Sequence, residues 1–247
     1  RDPVAGPTRE GDPGTGREED LGPPRDGACR DGARPGPTRW GICGAGHISH
    51  DFAVALKTLP PEEHVLLAVA ARDLCRAQDF AQRHGVPRAY GGYQALAEDP
   101  DVDVVYVGTV NPQHLPVARL MLAARKPLLV EKPLGLNREE VQEAAELAQA
   151  QGVFLMEGFW TRFFPAWRRL QELLSAPPAE GALGEPLLLV ASLGFDLRAR
   201  ARLREPALGG GALLDLGGYG LQMALALLGT PRDITARGCL HRTGTAG

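Results

Sequence analysis

Lys132, Asp215 and Tyr219 are residues whose types and spacing could do chemistry. Lys132 stands in Glu131-Lys132-Pro133, directly after the apolar run 127–130, so it projects from the carboxyl end of an expected strand. An ammonium there can donate to a hydroxyl oxygen or lower the pKa of a neighbouring acid. Asp215 and Tyr219 follow the glycines Gly209, Gly210 and Gly211 and lie four residues apart, on one face of a helix. The glycines let backbone come close to a ligand. Each feature alone has a plainer reading. A lysine before proline is a common turn, and Asp215 with Tyr219 could be a cap and a core residue.

A second set of residues could hold a dinucleotide. Gly44-Ala45-Gly46-His47-Ile48-Ser49 separates the apolar run 39–43 from a helical pattern at 51–59. Gly44 permits a tight turn, and Gly46 lets the backbone approach a pyrophosphate. Ser49 is a small residue where a third glycine often stands. His47 and Ile48 open the helix, whose first N–H groups and dipole attract an anion. The run VLLAVAA at 65–71 is followed by Arg72-Asp73. Arginine pairs with a ribose 2′-phosphate where a carboxylate would repel it, so the pattern favours NADP over NAD. A solvated Arg72 on a surface loop is the alternative. Thr109, Asn111 and His114 follow the third expected strand, at the edge where open α/β sheets bind ligands. His114 reads equally well as a packing residue.

These residues need a scaffold. Expected strands at 39–43, 65–71, 102–109, 127–131 and 152–157 alternate with helices at 51–59, 75–84, 93–98, 111–125 and 137–151. That alternation implies right-handed βαβ units, a parallel sheet and helices on both faces: an α/β, doubly wound Rossmann fold. Asn111 is the expected N-cap and Pro112 the first helical residue of its helix. Asn137 with Glu140 resembles a capping box. Beyond 159 the pattern gives a helix at 165–175, a strand at 187–195, a helix at 211–228 and an incipient strand at 233–238. A sheet left there would carry an open edge, so the second domain reads as truncated. Residues 1–38 contain Val4 and Leu21 as their only large aliphatics and are expected to be disordered. The expected layout is therefore 1–38 low-complexity, 39–158 dinucleotide-binding and 159–247 substrate domain.

Composition excludes several classes of function. The 247 residues carry a formal net charge of −3, with no basic footprint for nucleic acid. No apolar run reaches the roughly 20 residues that span a bilayer. The start of the sequence lacks the order of a signal peptide. Cys29, Cys43, Cys75 and Cys239 form no C-x-x-C pair, which fits thiols in a reducing, cytoplasmic setting and no metal site.

GAGHIS at 44–49, Glu131-Lys132-Pro133 and GGGALLDLGGY at 209–219 occur in order, with Gly108–His114 and Glu157–Phe163 between them. On these motifs the chain resembles the Gfo/Idh/MocA oxidoreductase family from Arg39 to about Arg242. Tyr219 stands where many members carry histidine. The resemblance implies a Rossmann domain followed by an α+β domain with a mostly antiparallel sheet, an NADP cofactor and a homodimer formed through the sheets. It implies Lys132, Asp215 and Tyr219 as catalytic residues. It also implies a small polyol or sugar substrate: a dihydrodiol, or an aldose such as D-xylose. Trp160, Arg162 and Phe163 would line the substrate site. In that reading a substrate hydroxyl lies between Lys132 and Tyr219. Tyr219 is the base, and Asp215 orients the lysine or the substrate. Residues 1–38 have no family counterpart, and the chain stops short of the family's full sheet. Two alternatives stand beside this one: an NAD-dependent sugar or inositol dehydrogenase of the same family, and a truncated, non-catalytic nucleotide-binding chain.

Overall fold

β1 (Thr38–Cys43), β2 (His64–Ala71) and β4 (Val104–Val107) make the centre of a parallel sheet, with β5 (Leu128–Val130) and β6 (Leu155–Glu157) beyond β4. The fold is that of a computed structural model, which describes residues 36–177, 183–197 and 199–245. A short strand, β3 (Arg88–Gly91), completes the order β3-β2-β1-β4-β5-β6, and every neighbouring pair is parallel. The order reverses direction between β1 and β4, which opens a crevice at their carboxyl ends. Expected disorder over 1–38 falls outside the described residues up to 35, and Thr38 already belongs to β1.

The apolar runs form strands because both faces of the sheet are covered. On one face Ala68, Val105, Val107, Leu128 and Val130 pack under α4 (His114–Ala123) and α5 (Arg138–Gln151). On the other, Ile42, Val69 and Tyr106 pack against α1 (His47–Leu56) and α2 (Leu74–His84). The short helix α3 (Gln94–Glu98) buries Leu96 beneath β1 and β4. At the amino ends of the strands Arg39 pairs with Asp101 and Asp103, while Arg88 binds both oxygens of Asp99 at 2.8 and 2.9 Å.

Four expectations within the Rossmann sheet and its helices are corrected. α1 begins at His47, because the glycine turn feeds directly into it with Gly46 as N-cap. β3 was not foreseen, since Arg88-Ala89-Tyr90-Gly91 has no apolar run to signal it. Asn111 does not cap a helix: residues 111–113 form a 3₁₀ turn, α4 starts at His114, and the Asn111 amide donates to Gly209 O instead. The Asn137 cap does form, accepting from Glu140 N at 2.9 Å. Glu140, however, reaches back to Leu136 N at 2.8 Å, one residue beyond a true capping box.

After α6 (Pro165–Ser175) the two strands expected at 187–195 and 233–238 do not form. Leu187 is 91% exposed and Ile234 82%. A strand needs a paired neighbour and a covering layer, and the described residues give these segments neither. No antiparallel sheet follows the Rossmann sheet among the described residues. What is ordered there is a short helix α7 (Ala201–Arg204), a π-helical turn at Leu213–Gly217 and α8 (Gly218–Leu228). Among the described residues no helix is long and apolar enough to cross a membrane.

Candidate active site

The glycine turn sits at the reversal of strand order. Gly44 has φ +100°, and a Cβ on it would stand 2.8 Å from Gly108 O, so both backbone angle and crowding demand glycine. Gly46 is different. The nearest protein atom to its would-be Cβ is Gly108 O at 3.9 Å, so packing alone does not require glycine there. The space it leaves lies beside the first turn of α1, where no side chain caps the amides and no acidic residue stands. That cradle fits a pyrophosphate. His47 and Ile48 are exposed at its rim, and Ser49 is buried beneath Gly108 with its hydroxyl unpartnered.

Arg72 is exposed at the carboxyl end of β2. Asp73 is committed to the cap of α2, accepting from Cys75 N at 2.9 Å, which leaves Arg72 as the charge facing outward. The Thr109 hydroxyl is buried without a partner. His114 is 1% exposed, and both its ring nitrogens face carbonyls, Pro133 O at 2.6 Å and Thr109 O at 3.2 Å. Burial lowers its pKa despite those carbonyls. His114 therefore braces the Lys132-Pro133 segment against the β4 loop and offers no surface to a ligand. Asn111, also buried, ties that loop to Gly209 at 3.0 Å.

The catalytic candidates do come together. Lys132, at the end of β5, donates to Asp215 O at 2.7 Å and meets Asp215 Oδ1 at 3.4 Å. Its Nζ lies 5.2 Å from the centroid of the Tyr219 ring. Trp160 Nε1 donates to the Tyr219 hydroxyl at 3.2 Å, and Phe159 meets the Tyr219 ring edge-on. The π-helical turn carries Asp215 and hands over to α8 just before Tyr219. Such turns recur at functional sites.

Two half-buried carboxyls flank the lysine. Glu131 accepts from the Tyr106 hydroxyl at 2.8 Å and from Lys132 N at 3.2 Å, and Glu157 accepts from Leu134 N at 2.8 Å. Burial raises the pKa of both above the usual carboxylate value. A cavity of about 610 Å³ opens beside them, lined by Lys132, Glu157, Phe159, Arg162, Leu221 and Leu225 among others. That volume suits a small ligand. Of the three expected substrate residues, Arg162 lies on this wall; Trp160 and Phe163 do not, being 64% and 52% exposed nearby. Two residues escaped the sequence reading. Glu157 ends β6 in an apolar run and looks like a strand terminus. Arg202, whose Nη2 donates to Asp215 Oδ1 at 3.1 Å, hides in the alternating series Arg198, Arg200, Arg202, Arg204.

A parallel sheet with a phosphate-type turn at its switch point, and a lysine, a carboxylate and a tyrosine converging beside it, is a layout found in Rossmann-type oxidoreductase folds. Comparison with known proteins gives the family. Residues 38–159 match the model described as oxidoreductase family, NAD-binding Rossmann fold, and residues 167–246 match the Gfo/Idh/MocA C-terminal domain. The chain belongs to the Gfo/Idh/MocA oxidoreductase family. It is 51% identical over 208 residues to trans-1,2-dihydrobenzene-1,2-diol dehydrogenase of Danio rerio, and 47% identical over 208 residues to the Homo sapiens protein of that name. Each match takes in 83% of this chain and 61% of the relative, so the chain spans about three fifths of the length of the curated relatives it matches. Among solved structures, the 3-ketoreductase KijD10 from Actinomadura kijaniata, in complex with NADP and TDP-benzene, is similar with a TM-score of 0.64 at 31% identity. That match covers 78% of this chain and 58% of the other.

Proposed function

We propose that this chain binds NADP and oxidises one hydroxyl of a dihydrodiol of the trans-1,2-dihydrobenzene-1,2-diol type, or of an aldose such as D-xylose. The observation that carries the proposal is the Lys132 ammonium, held on Asp215 with the Tyr219 ring beside it, at the mouth of a cavity on the carboxyl edge of the sheet. The names of the similar dehydrogenases support the substrate class, and outward-facing Arg72 supports NADP over NAD. Residues 39–158 serve as the cofactor domain and 159–247 as the substrate domain in this reading. The family resemblance adds a homodimer, and the scattered thiols add a cytoplasmic location.

The chain's own groups divide the work. Gly44, Gly46 and the first amides of α1 would hold the pyrophosphate, and Arg72 the 2′-phosphate. The bound nicotinamide ring supplies the hydride acceptor. Lys132 has three donors, two of them turned to Asp215, and the third is free to hold the substrate oxygen. The substrate loses a hydride from carbon and a proton from its hydroxyl. The Tyr219 phenolate takes that proton and becomes the neutral phenol, and the Trp160 N–H, which donates to its oxygen, stabilises the phenolate before the transfer.

Incubation with NADP and trans-1,2-dihydrobenzene-1,2-diol or D-xylose, followed by reduced-cofactor absorbance, tests this directly. Signal with NADP should exceed signal with NAD. Lys132→Met should cut turnover by about 100- to 10,000-fold while NADP binding survives. Unchanged turnover in that variant would remove Lys132 from the mechanism. Folded protein that binds NADP and turns over neither substrate would instead be a non-catalytic nucleotide binder.

A further inference from the structure

We infer that Arg202 is a positioning residue that fixes the Lys132 ammonium through the carboxylate the two cations share; the inference rests on the catalytic reading of Lys132 given above. An exposed arginine beside a carboxylate is ordinarily a weak surface pair. Here the carboxylate is buried: Asp215 is 7% exposed, while Arg202 keeps about half of its side chain in solvent. Both cations converge on one oxygen, Asp215 Oδ1, with Arg202 Nη2 at 3.1 Å and Lys132 Nζ at 3.4 Å. The guanidinium holds the nearer place.

The two cations differ in kind. A guanidinium is a rigid planar fork, and an ammonium is a compact charge on a flexible stem. Arg202 thereby sets the orientation of the Asp215 carboxylate. Lys132 keeps its shorter bond to Asp215 O, at 2.7 Å, and retains a donor for the substrate oxygen. Without Arg202, Oδ1 has no second cation. The carboxylate can then swing onto Nζ, close a tight ion pair and occupy the remaining donor.

The arginine is itself held from the Rossmann side. α7, which carries Arg202, runs into a turn at Pro206–Leu208 and then Gly209, and Gly210 N returns to Glu205 O at 3.1 Å. The Gly209 carbonyl accepts from the buried Asn111 amide at 3.0 Å. Asn111, the Gly209 segment, Arg202 and Asp215 therefore form a continuous strut from the β4 loop to the catalytic lysine. The sequence reading gave Asn111 a cofactor role; the strut gives it one in placing Arg202.

The test is a double-mutant cycle on the full chain, with the dihydrodiol and NADP. Arg202→Ala should lower kcat by about 10- to 100-fold, the scale of a lost hydrogen bond to a charged group, and leave the dissociation constant for NADP unchanged. In an Asp215→Asn background the same change should cost nothing further, within about twofold. Arg202→Lys, which keeps the charge and loses the fork, should recover part of the rate. A loss of equal size in both backgrounds overturns the inference, as does a kcat within about twofold of the parent in Arg202→Ala. Should Arg202→Ala fail to fold, Arg202→Gln replaces it in the same cycle. A second readout does not depend on turnover. The chain has three lysines, Lys57, Lys126 and Lys132, so isotope-labelled lysine gives an assignable side-chain NMR signal for Lys132. That signal should move in Arg202→Ala and stay in the neighbouring control Arg204→Ala. An unmoved signal defeats the contact itself. A parent chain that turns nothing over but shows the moved signal defeats the catalytic reading and leaves the strut standing.

Discussion

Ala68, Val69 and Ala70 of β2 are fully buried, whereas Leu187, Leu188 and Val190, in a run just as apolar, are 80% exposed or more. The two segments differ in neighbours and hardly at all in composition. β2 is paired on both edges, by β1 and β3, and covered on both faces. The segment at 187–195 has no strand beside it among the described residues. Burial is thus a property of the layer a run joins, and an apolar run states only what it would gain from joining one.

Matched truncations sharpen that contrast, and they carry the largest stability effect expected here. Leu128 in β5 is 0% exposed, and Leu128→Ala should destabilise the fold by about 2–5 kcal/mol through lost burial and the cavity left behind. Leu187→Ala removes the same atoms from a side chain 91% exposed and should stay within about 0.5 kcal/mol. Thermal unfolding separates these readily, since about 1 kcal/mol moves the midpoint by roughly 2–4 °C at this size. A cost at Leu187 close to that at Leu128 would break the comparison, because it would mean that the exposed run is covered in solution.

The same contrast explains what could be read from the residues. The β1–turn–α1 unit, the order of strands and helices, and the residues of the Lys132 cluster were legible because each rests on local pattern: an apolar run, a glycine pair, a lysine closing a strand, a four-residue helical spacing. β3 was missed because Arg88 and Tyr90 turn polar atoms to the Asp99–Asp101 carboxylates, and no apolar alternation marks it. Asn111 was misread as a cap because its true partner, Gly209, lies 98 residues away. Glu157 and Arg202 escaped for the same reason, since neither Leu134 N nor the Asp215 carboxylate is a sequence neighbour.

Arg72 offers a test of how far local reading reaches into function. Its neighbour Asp73 is withdrawn into the α2 cap, so Arg72 is the charge placed directly at the end of β2. Arg72→Ala should lower the preference for NADP over NAD by about 10- to 100-fold, read as the ratio of kcat/KM for the two cofactors or of their dissociation constants. The core is untouched, so the unfolding midpoint should hold. A preserved ratio would show that the cofactor's ribose is read elsewhere, and that position at a strand's end does not suffice to assign a role.

The smallest effect concerns a pair of rings outside the site, in the well-packed half. His50 Nδ1 and His84 Nε2 share a hydrogen bond of 3.0 Å between α1 and α2, with Phe80 against the His84 ring. One nitrogen must donate and the other accept, so a proton added to the acceptor abolishes the bond. Burial is the main cause that lowers the pKa of His84, and the nearby charges of Lys57, His50 and Arg83 act in the same direction. A histidine with a depressed folded-state pKa stays neutral in the fold while the unfolded chain takes up protons first. Stability is therefore complete above the unfolded value of about 6.5 and falls as the pH drops below it. Buried His114, also lowered, adds to the same slope. The histidine contribution to the unfolding midpoint should fall between pH 7 and pH 5, by a few degrees at about 2–4 °C per kcal/mol, while the raised carboxyls Glu131 and Glu157 act in the opposite direction equally in parent and variant. His84→Gln keeps an amide for His50 and cannot titrate, so it should shallow that slope without removing it, leaving the part that belongs to His114. An identical slope in His84→Gln would show that the α1–α2 contact does not sense protons in this range.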